Sequence, residues 1–199
     1  MGDVVTVRIM RHAPTKENLQ KRYLGWTDSP LADPSVLPIV DQNVSKVYGS
    51  DLLRCQQTAA RYFPNAMYIH DARFRESNFG EFEGKTYDEL KSDKRYCAWL
   101  DNPALNFPPN GEGFDEFSAR VVEGFLALPK EDQDYVLVVH GGVIRALLVR
   151  FAPEEKPFWS YDVPHHVLFT FTFSQRAWKE GARCMSLSVV PITGKPTMY

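Results

Sequence analysis

Short, strongly apolar runs alternate along the chain with segments whose apolar residues have helical spacing. The runs VVTVRIM (4–10), AMYIH (66–70) and DYVLVV (134–139) are rich in β-branched residues and are typical of buried strands. SKVYGS (45–50) predicts a further strand, because it leads directly into the helical segment SDLLRCQQTAARYF. Strands that alternate with helices predict an α/β fold with a largely parallel sheet.

Four helical segments and one hairpin complete this pattern. Ser50 is predicted to cap the helix that follows it. FDEFSARVVEGFLAL and GGVIRALLVRF predict longer helices, and TYDELK and RYCAWL predict short ones. The prolines between residues 12 and 43 predict loop with at most short helices. VLFTFTF and CMSLSVV predict a terminal hairpin that turns near Gly181 and closes one edge of the sheet.

The composition predicts one domain over residues 1–199, since no repeat, linker or low-complexity segment interrupts the 199 residues. A formal charge of −2 without a basic block argues against nucleic acid or an anionic membrane as partner. No apolar run of about 18 residues and no signal peptide is found, so we expect a cytoplasmic protein. Three widely spaced cysteines favour neither disulfides nor a zinc site, and we expect no metal and no cofactor.

Polar residues follow three of the predicted strands. They are Arg11 with His12, Ser50 with Arg54, and His140 with Gly141. Ligands of open α/β sheets bind beyond the carboxyl ends of the strands, so we expect these groups to meet. Two guanidinium groups, free backbone N–H groups at helix starts and a close backbone approach at glycine fit a phosphate.

A histidine at a phosphate site has a chemical purpose, because neutral imidazole can attack phosphorus and form a phosphohistidine. His12, beside Arg11, is the candidate nucleophile. The leaving alkoxide also needs an acid. Glu76, Glu81 and Glu83 lie in one aromatic-rich stretch, and the residues alone do not choose among them.

These motifs, taken in order from Arg11 to Leu148, resemble the histidine phosphatase superfamily, in particular its phosphoglycerate mutase-like branch of small phosphatases. RHAPTKEN, YLGWTDSPL, SDLLRCQQTA, RESNFGEFEGKTYDEL, NGEGFDEFSARV and VVHGGVIRALL are each similar to a family segment. The resemblance implies a three-layer α/β/α sandwich with a mostly parallel, mixed central sheet. It also implies metal-independent hydrolysis of a phosphomonoester through a phosphohistidine.

The resemblance further implies a role for each site residue. His12 is then the nucleophile and Glu76 the proton donor and later the base. The groups that bind and stabilise the phosphoryl group are Arg11, Arg54, His140, Thr15, Asn18 and Gly141. Ala13 and Gly113 depart from the family motifs, and no helix is predicted over 31–47, where the family usually has one.

Several functions fit these residues. The leading hypothesis is a phosphatase of a small phosphorylated metabolite, and NFGEFEGKTYDEL is similar to α-ribazole phosphatases, which makes α-ribazole 5′-phosphate one candidate substrate. A phosphoglycerate mutase is the alternative, although Leu24 replaces a threonine of the mutase loop and the long mutase insertion is missing. A non-catalytic protein that binds phosphorylated ligands, and a homodimer, are also compatible with the sequence.

Other polar and aromatic residues have ordinary structural interpretations. Without the family resemblance, Arg54 could be a solvated helix residue, and His140 could be a histidine of the core. His165 and His166 could suggest a metal site, but Asp162 is the only nearby Cys, Asp or Glu at ligand spacing. Packing at a strand entry is therefore the favoured interpretation. The aromatic side chains that could wall a substrate pocket or fill the core are Tyr23, Trp26, Trp99 and Phe107.

Overall fold

The computed structural model describes residues 4–132 and 134–192. The strands are β1 (Val4–Arg11), β2 (Lys46–Gly49), β3 (Met67–His70), β4 (Asp134–Val139), β5 (Val167–Ser174) and β6 (Ser186–Pro191). The helices are α1 (Lys16–Leu19), α2 (Leu53–Tyr62), α3 (Tyr87–Leu90), α4 (Lys94–Asp101), α5 (Phe114–Leu126), α6 (Gly141–Phe151) and α7 (Gln175–Glu180). Residues 1–3, 133 and 193–199, which the predicted domain includes, lie outside the described part.

The six strands form one sheet in the order β3-β2-β4-β1-β5-β6. β1 pairs with β4 in parallel, and β2 pairs in parallel with both β3 and β4. β5 and β6 are antiparallel to their neighbours. The predicted α/β fold with a mostly parallel mixed sheet is therefore confirmed.

Alternation along β1 divides the core between the two faces of the sheet. Val5, Val7 and Ile9 pack with α5, α6 and α7 on one face, whereas Met10 packs with α2 on the other. Period-2 alternation of side chains places these residues on opposite faces. The result is the three-layer α/β/α sandwich that the resemblance implied.

The register of the parallel strands brings the predicted site residues together. Arg11 at the end of β1 lies opposite Val139 at the end of β4, and Gly49 at the end of β2 lies opposite Val138. Three neighbouring strands thus end at one level, which places His12, Ser50 and His140 along one edge of the sheet.

The prediction that Ser50 caps α2 is wrong. The helix begins at Leu53, and its N-cap residue Leu52 makes no side-chain capping bond. The backbone N–H of Leu53 instead donates to Asp28 Oδ1 at 2.7 Å, so a residue from a distant loop satisfies the first turn. Ser50 Oγ accepts from the backbone N–H of Leu52 at 3.3 Å, before the helix starts.

The terminal hairpin is antiparallel and reaches the sheet edge as predicted, but it has no simple turn. Helix α7 lies between β5 and β6, because Ser174 Oγ accepts from the backbone N–H of Ala177 at 3.1 Å and starts a helix. Gly181 ends that helix at φ +64°, a left-handed conformation that glycine adopts without strain.

The proline-rich segment between β1 and β2 contains only α1 and a 3₁₀ turn at Pro34–Val36, as predicted. The segment 31–47 has no α-helix among its residues, and β2 begins within it at Lys46. α3, α4, α5 and α6 lie where the sequence predicts helices. Among the described residues, no helix is long and apolar enough to cross a membrane.

Candidate active site

The backbone at the end of β1 fixes the position of His12. Its N–H donates to Val139 O at 2.9 Å, which continues the sheet by one residue. The next N–H, that of Ala13, donates to Thr58 Oγ1 on α2 at 2.9 Å. His12 is buried, with 3% of its surface exposed. The imidazole is therefore presented from the rigid edge of the sheet.

Hydrogen bonding and charge both suit His12 to nucleophilic attack. Nδ1 lies 2.7 Å from the carbonyl oxygen of Ala13. Because a carbonyl oxygen can only accept, Nδ1 carries the proton and the lone pair is on Nε2. Burial and the neighbouring charges of Arg54 and Arg11 hold the pKa of His12 well below its ordinary value, so the ring is neutral at neutral pH.

Arg54 is fully buried, and its guanidinium is held by backbone carbonyls. Nη1 donates to Thr27 O at 2.9 Å and Nη2 to Gly25 O at 2.6 Å. Arg11 donates from Nη1 to Val163 O at 3.1 Å, while its buried Nε has no hydrogen-bond partner among the described residues. Within residues 4–132 and 134–192, neither guanidinium forms a salt bridge with a carboxylate.

Arg54 is fully buried and Arg11 is half-buried, and neither is neutralised by an ion pair among the described residues, so together they attract an anion strongly. Arg11 lies against Gly141 at the start of α6, where a Cβ would make ordinary van der Waals contact with its guanidinium at 3.4 Å. The N-terminus of this helix, which has eleven residues, adds backbone N–H groups to the same place.

His140 lies beside His12, with 5.1 Å between the ring centroids. Arg54 Nε donates to His140 Nδ1 at 3.3 Å, so the proton of the neutral ring is on Nε2, 3.5 Å from Cys55 Sγ. Burial and the charge of Arg54 keep the pKa of His140 well below its ordinary value. For His140 to donate a hydrogen bond from Nδ1 to a phosphoryl oxygen, Nδ1 must therefore gain a proton and its hydrogen bond from Arg54 must break.

Glu76 is the glutamate that the structure brings to the site. Its Oε2 accepts from the backbone N–H of Gly142 at 2.9 Å, and Oε1 accepts from that of Ser77 at 3.0 Å. A Cβ at residue 142 would overlap Glu76 Oε1, which explains the second glycine of the HGG motif. The sequence predicted that Gly141 and Gly142 let an anion approach the backbone closely, and at Gly142 the group that approaches is the Glu76 carboxyl.

The other two glutamates have structural contacts. Glu81 pairs with Arg95 at 2.9 Å on the surface. Glu83 accepts from the backbone N–H groups of Trp26 at 2.6 Å and Thr27 at 3.0 Å, and so holds the loop that contacts Arg54. The choice left open by the sequence is thereby narrowed to Glu76.

The backbone of Glu76 is fixed by residues that the sequence reasoning missed. Its carbonyl oxygen accepts from Arg120 Nη2 at 3.0 Å and from Trp26 Nε1 at 2.9 Å. Arg120 in turn forms a buried ion pair with Glu112, with Nε 2.5 Å from Oε1. The NGEG motif and α5 therefore support the candidate acid from behind.

Thr15 and Asn18 differ in their positions. Thr15 is buried and caps α1. Thr15 Oγ1 accepts from the backbone N–H of Asn18 at 3.2 Å, and Asn18 Oδ1 accepts from the backbone N–H of Thr15 at 3.1 Å. Asn18 also lines the cavity beside Arg11, which agrees with the expectation for it. Thr15 does not line this cavity, and its side chain caps α1.

A cavity of about 430 Å³ opens from Arg11, Glu76 and Gly141. Its aromatic wall is formed by Tyr23, Phe79, Trp99, Phe114, Phe117, Phe158 and Trp159. Tyr23 and Trp99 thus have the pocket role that was one of two interpretations, whereas Trp26 and Phe107 do not line this cavity. Arg145, one helical turn after Gly141, lines it as well, and no sequence pattern pointed to that residue.

His165 is the other site residue that was missed, since packing at a strand entry was the favoured interpretation. Its Nδ1 lies 2.7 Å from the carbonyl oxygen of His12, and the two rings are 5.6 Å apart. His166 points elsewhere and contacts the Tyr62 hydroxyl. Within the described ranges, no group of three or more His, Cys, Asp or Glu residues is arranged to hold a metal ion.

The family model for the histidine phosphatase superfamily (branch 1) matches residues 7–182. The chain belongs to this superfamily. It is 30% identical over 186 residues to the adenosylcobalamin/α-ribazole phosphatase of Escherichia coli K12, covering 85% of this chain and 86% of that one. It is 26% identical to the metal-independent phosphoserine phosphatase of Arabidopsis thaliana, over 75% of this chain and 69% of that one.

Solved structures with the same fold are known. The α-ribazole phosphatase from Shigella flexneri superimposes with a TM-score of 0.76 at 23% identity, covering 94% of this chain and 96% of that one. The resemblance seen in the sequence motifs is therefore confirmed at the level of family and fold.

Proposed function

We propose that this protein is a metal-independent phosphomonoesterase that hydrolyses a small phosphorylated metabolite through a phosphohistidine on His12. The observation that carries the proposal is the setting of His12. Its ring is neutral and held by Ala13 O with the lone pair on Nε2. It lies near the guanidinium groups of Arg54 and Arg11, which lack carboxylate partners among the described residues.

In the first step the phosphoryl group binds to Arg11, Arg54, Asn18 and the start of α6 at Gly141. His12 Nε2 attacks phosphorus and forms the P–N bond as the ester P–O bond breaks. Glu76 donates its proton to the leaving alkoxide, and His140 stabilises the charge that develops on the phosphoryl oxygens.

In the second step a water molecule attacks the phosphohistidine. Glu76, now a carboxylate, takes the proton of this water, the P–N bond breaks and inorganic phosphate leaves. His12 returns to its neutral form with the proton still on Nδ1, and Glu76 is again an acid. Electrostatic stabilisation and alignment suffice for such a transfer, so the proposal requires no metal.

The cavity supports a substrate with an aromatic or otherwise apolar organic part. A volume of about 430 Å³ with an aromatic wall and several charged groups is typical of a pocket that encloses most of a small organic ligand. α-Ribazole 5′-phosphate has such a part, and the names of the bacterial relatives favour it as the first compound to try. The proposal treats the chain as one catalytic domain, which the single six-stranded sheet supports.

The test is turnover of p-nitrophenyl phosphate in the presence of EDTA, followed by a panel of phosphorylated metabolites that includes α-ribazole 5′-phosphate, phosphoserine and 3-phosphoglycerate. We expect phosphate release that EDTA does not reduce. Isomerisation of 3-phosphoglycerate without phosphate release would identify a mutase instead. Phosphate binding without any turnover would identify a non-catalytic binding protein.

A further inference from the structure

The segment 161–165, between α6 and β5, holds three groups of the site with alternate residues. Tyr161 O accepts from Arg145 Nε at 3.0 Å, and Val163 O accepts from Arg11 Nη1 at 3.1 Å. His165 then makes the third contact with its side chain, at the backbone of His12. The segment is therefore part of the site, and of its three contacts only that of His165 is made by a side chain.

The contact with His12 determines which nitrogen of His165 is free. The His12 carbonyl oxygen can only accept, so Nδ1 of His165 carries a proton and donates. The neutral ring then presents a bare Nε2. The half-buried ring borders the same opening as Arg11 and Asn18, which are both proposed to bind the phosphoryl group. The ring of His12 thus has two histidine neighbours, His140 at 5.1 Å and His165 at 5.6 Å between ring centroids.

We propose that His165 is a further phosphoryl-binding residue: its Nδ1–H holds the His12 carbonyl, and its Nε2 takes a proton from solvent when a phosphoryl dianion binds and donates that proton in a hydrogen bond. This inference rests on the proposed phosphatase function. It adds a residue that the motif comparison does not contain, since the motifs end at Leu148.

The surrounding charges explain why the proton is taken up only on binding. Arg11, Lys21 and Arg22 border the same opening as His165, together with Tyr23 and Tyr87. The other titratable groups near His165 are His12, which follows β1, and Asp162 and His166 on its own segment. Burial and the charge of Arg11 lower the pKa of His165 to about 4.

A bound dianion reverses this balance. Its two negative charges offset the guanidinium field and favour the cationic ring, so the pKa of His165 is higher in the complex than in the free protein. By linkage, the protein's affinity for a dianion falls as pH rises between those two pKa values. A ligand that itself stays dianionic isolates this effect.

Sulfate is the probe for this experiment, because it remains a dianion throughout the range used and cannot take up the proton itself. Its affinity is measured by calorimetry from about pH 5 to 8, in buffers of different ionisation enthalpy, which gives the number of protons taken up. The variant is His165→Asn, whose amide still donates to the His12 carbonyl but has no second nitrogen. The matched control is His166→Asn, since asparagine tolerates the φ of +61° at that position.

We expect His165→Asn to bind sulfate about tenfold more weakly than wild type near pH 5, the effect of losing one charge-assisted hydrogen bond. The difference should shrink as pH rises, and the variant should take up fewer protons. His166→Asn should match wild type. His165→Gln, which also keeps an amide donor, should repeat the result and guards against a folding defect peculiar to asparagine.

Equal sulfate affinity and equal proton uptake in wild type and His165→Asn would overturn the role of His165. If wild type hydrolyses p-nitrophenyl phosphate and still gives this result, only the inference about His165 fails. If wild type neither turns over that substrate nor binds sulfate, the proposed function fails with it. A loss of kcat in His165→Ala that His165→Asn restores, with sulfate binding unchanged, would reduce His165 to a positioning residue.

Discussion

At the scale of single residues, the site depends on which nitrogen carries a proton and which charge lacks a partner. The backbone carbonyl of Ala13 keeps the proton of His12 on Nδ1. Backbone carbonyls, rather than carboxylates, hold Arg54, so its full charge remains for a ligand. Both features depend on hydrogen bonds to main-chain carbonyl oxygens, and residue types alone do not show where those bonds form.

Replacing Arg54 with Lys tests the guanidinium geometry. Lysine keeps the charge but loses the planar fork that reaches Thr27 O, Gly25 O and a phosphoryl oxygen together. We expect kcat/KM to fall about tenfold to several hundredfold, equivalent to about 1.4 to 3.5 kcal/mol. Steady-state kinetics with p-nitrophenyl phosphate measures this. An Arg54→Lys variant that loses stability but keeps wild-type kinetics would place Arg54 outside the chemistry.

Replacing Glu76 with Gln tests the acid through the leaving group. An alkyl alkoxide needs a proton strongly, and p-nitrophenolate hardly needs one. Formation of the phosphoenzyme should therefore slow far more for an alkyl phosphate than for p-nitrophenyl phosphate, as single-turnover measurements can show. Glu81→Gln and Glu83→Gln are the matched controls, because their carboxylates bond elsewhere. The assignment fails if Glu76→Gln slows both substrates equally, or if a control shows the selective loss.

At the scale of secondary-structure elements, the site is assembled by strand ends and by loops that cross between them. The segment that follows α1 supplies Gly25 O and Thr27 O to Arg54 and Asp28 Oδ1 to the first turn of α2. Glu83 in turn holds the backbone of that segment. The start of α2 is therefore stabilised across the site rather than by its own sequence.

Removal of this distant cap should be measurable as stability. Asp28→Ala leaves the backbone N–H of Leu53 without its acceptor and should lower the free energy of unfolding by about 1 kcal/mol, as loss of a helix cap does. Urea denaturation measures the change. Asp33→Ala, which removes the exposed cap of the short 3₁₀ turn at Pro34–Val36, is the control and should cost less. A larger loss in Asp33→Ala than in Asp28→Ala would contradict this account of α2.

The elements themselves were largely predictable from the sequence, because hydrophobic period and turn residues are local signals. β1, β4 and α6 are examples: each carries an apolar pattern that fits one structure only. The capping of α2 by Asp28 and the contact of His165 with His12 were not predictable in this way. Each depends on a contact between residues far apart in sequence, 25 residues for Leu53 with Asp28 and 153 for His165 with His12.

At the scale of the whole molecule, burial of neutral histidines couples the site to the stability of the fold. His12 and His140 are buried with pKa values well below the ordinary value of 6.5. Below that pH their side chains bind protons in the unfolded chain but not in the folded one. By linkage the free energy of unfolding must then fall as pH falls.

The expected slope is up to about 1.4 kcal/mol per pH unit for each buried histidine, or about 2.8 kcal/mol per pH unit for His12 and His140 together, between the ordinary value and their lowered pKa values. The half-buried His165, whose pKa is lowered to about 4, adds a smaller contribution over the same range. Urea denaturation at several pH values between about 5 and 7 measures the slope. His140→Gln should reduce it by a third to a half, because His12 and His165 still contribute, and His166→Asn, at an exposed position, should not change it. A slope that is the same in wild type and His140→Gln would contradict the buried neutral state of His140.

The most direct test of the whole account is the identity of the covalent intermediate. Wild-type protein is mixed with a phosphorylated substrate, quenched in alkali within the first turnover, digested and examined by mass spectrometry. We expect an acid-labile, base-stable phosphoryl group on His12, and we expect His12→Ala to fold normally, to form no adduct and to lose turnover. A phosphoryl group found on another residue, or near-normal turnover by His12→Ala, would contradict the mechanism at its centre.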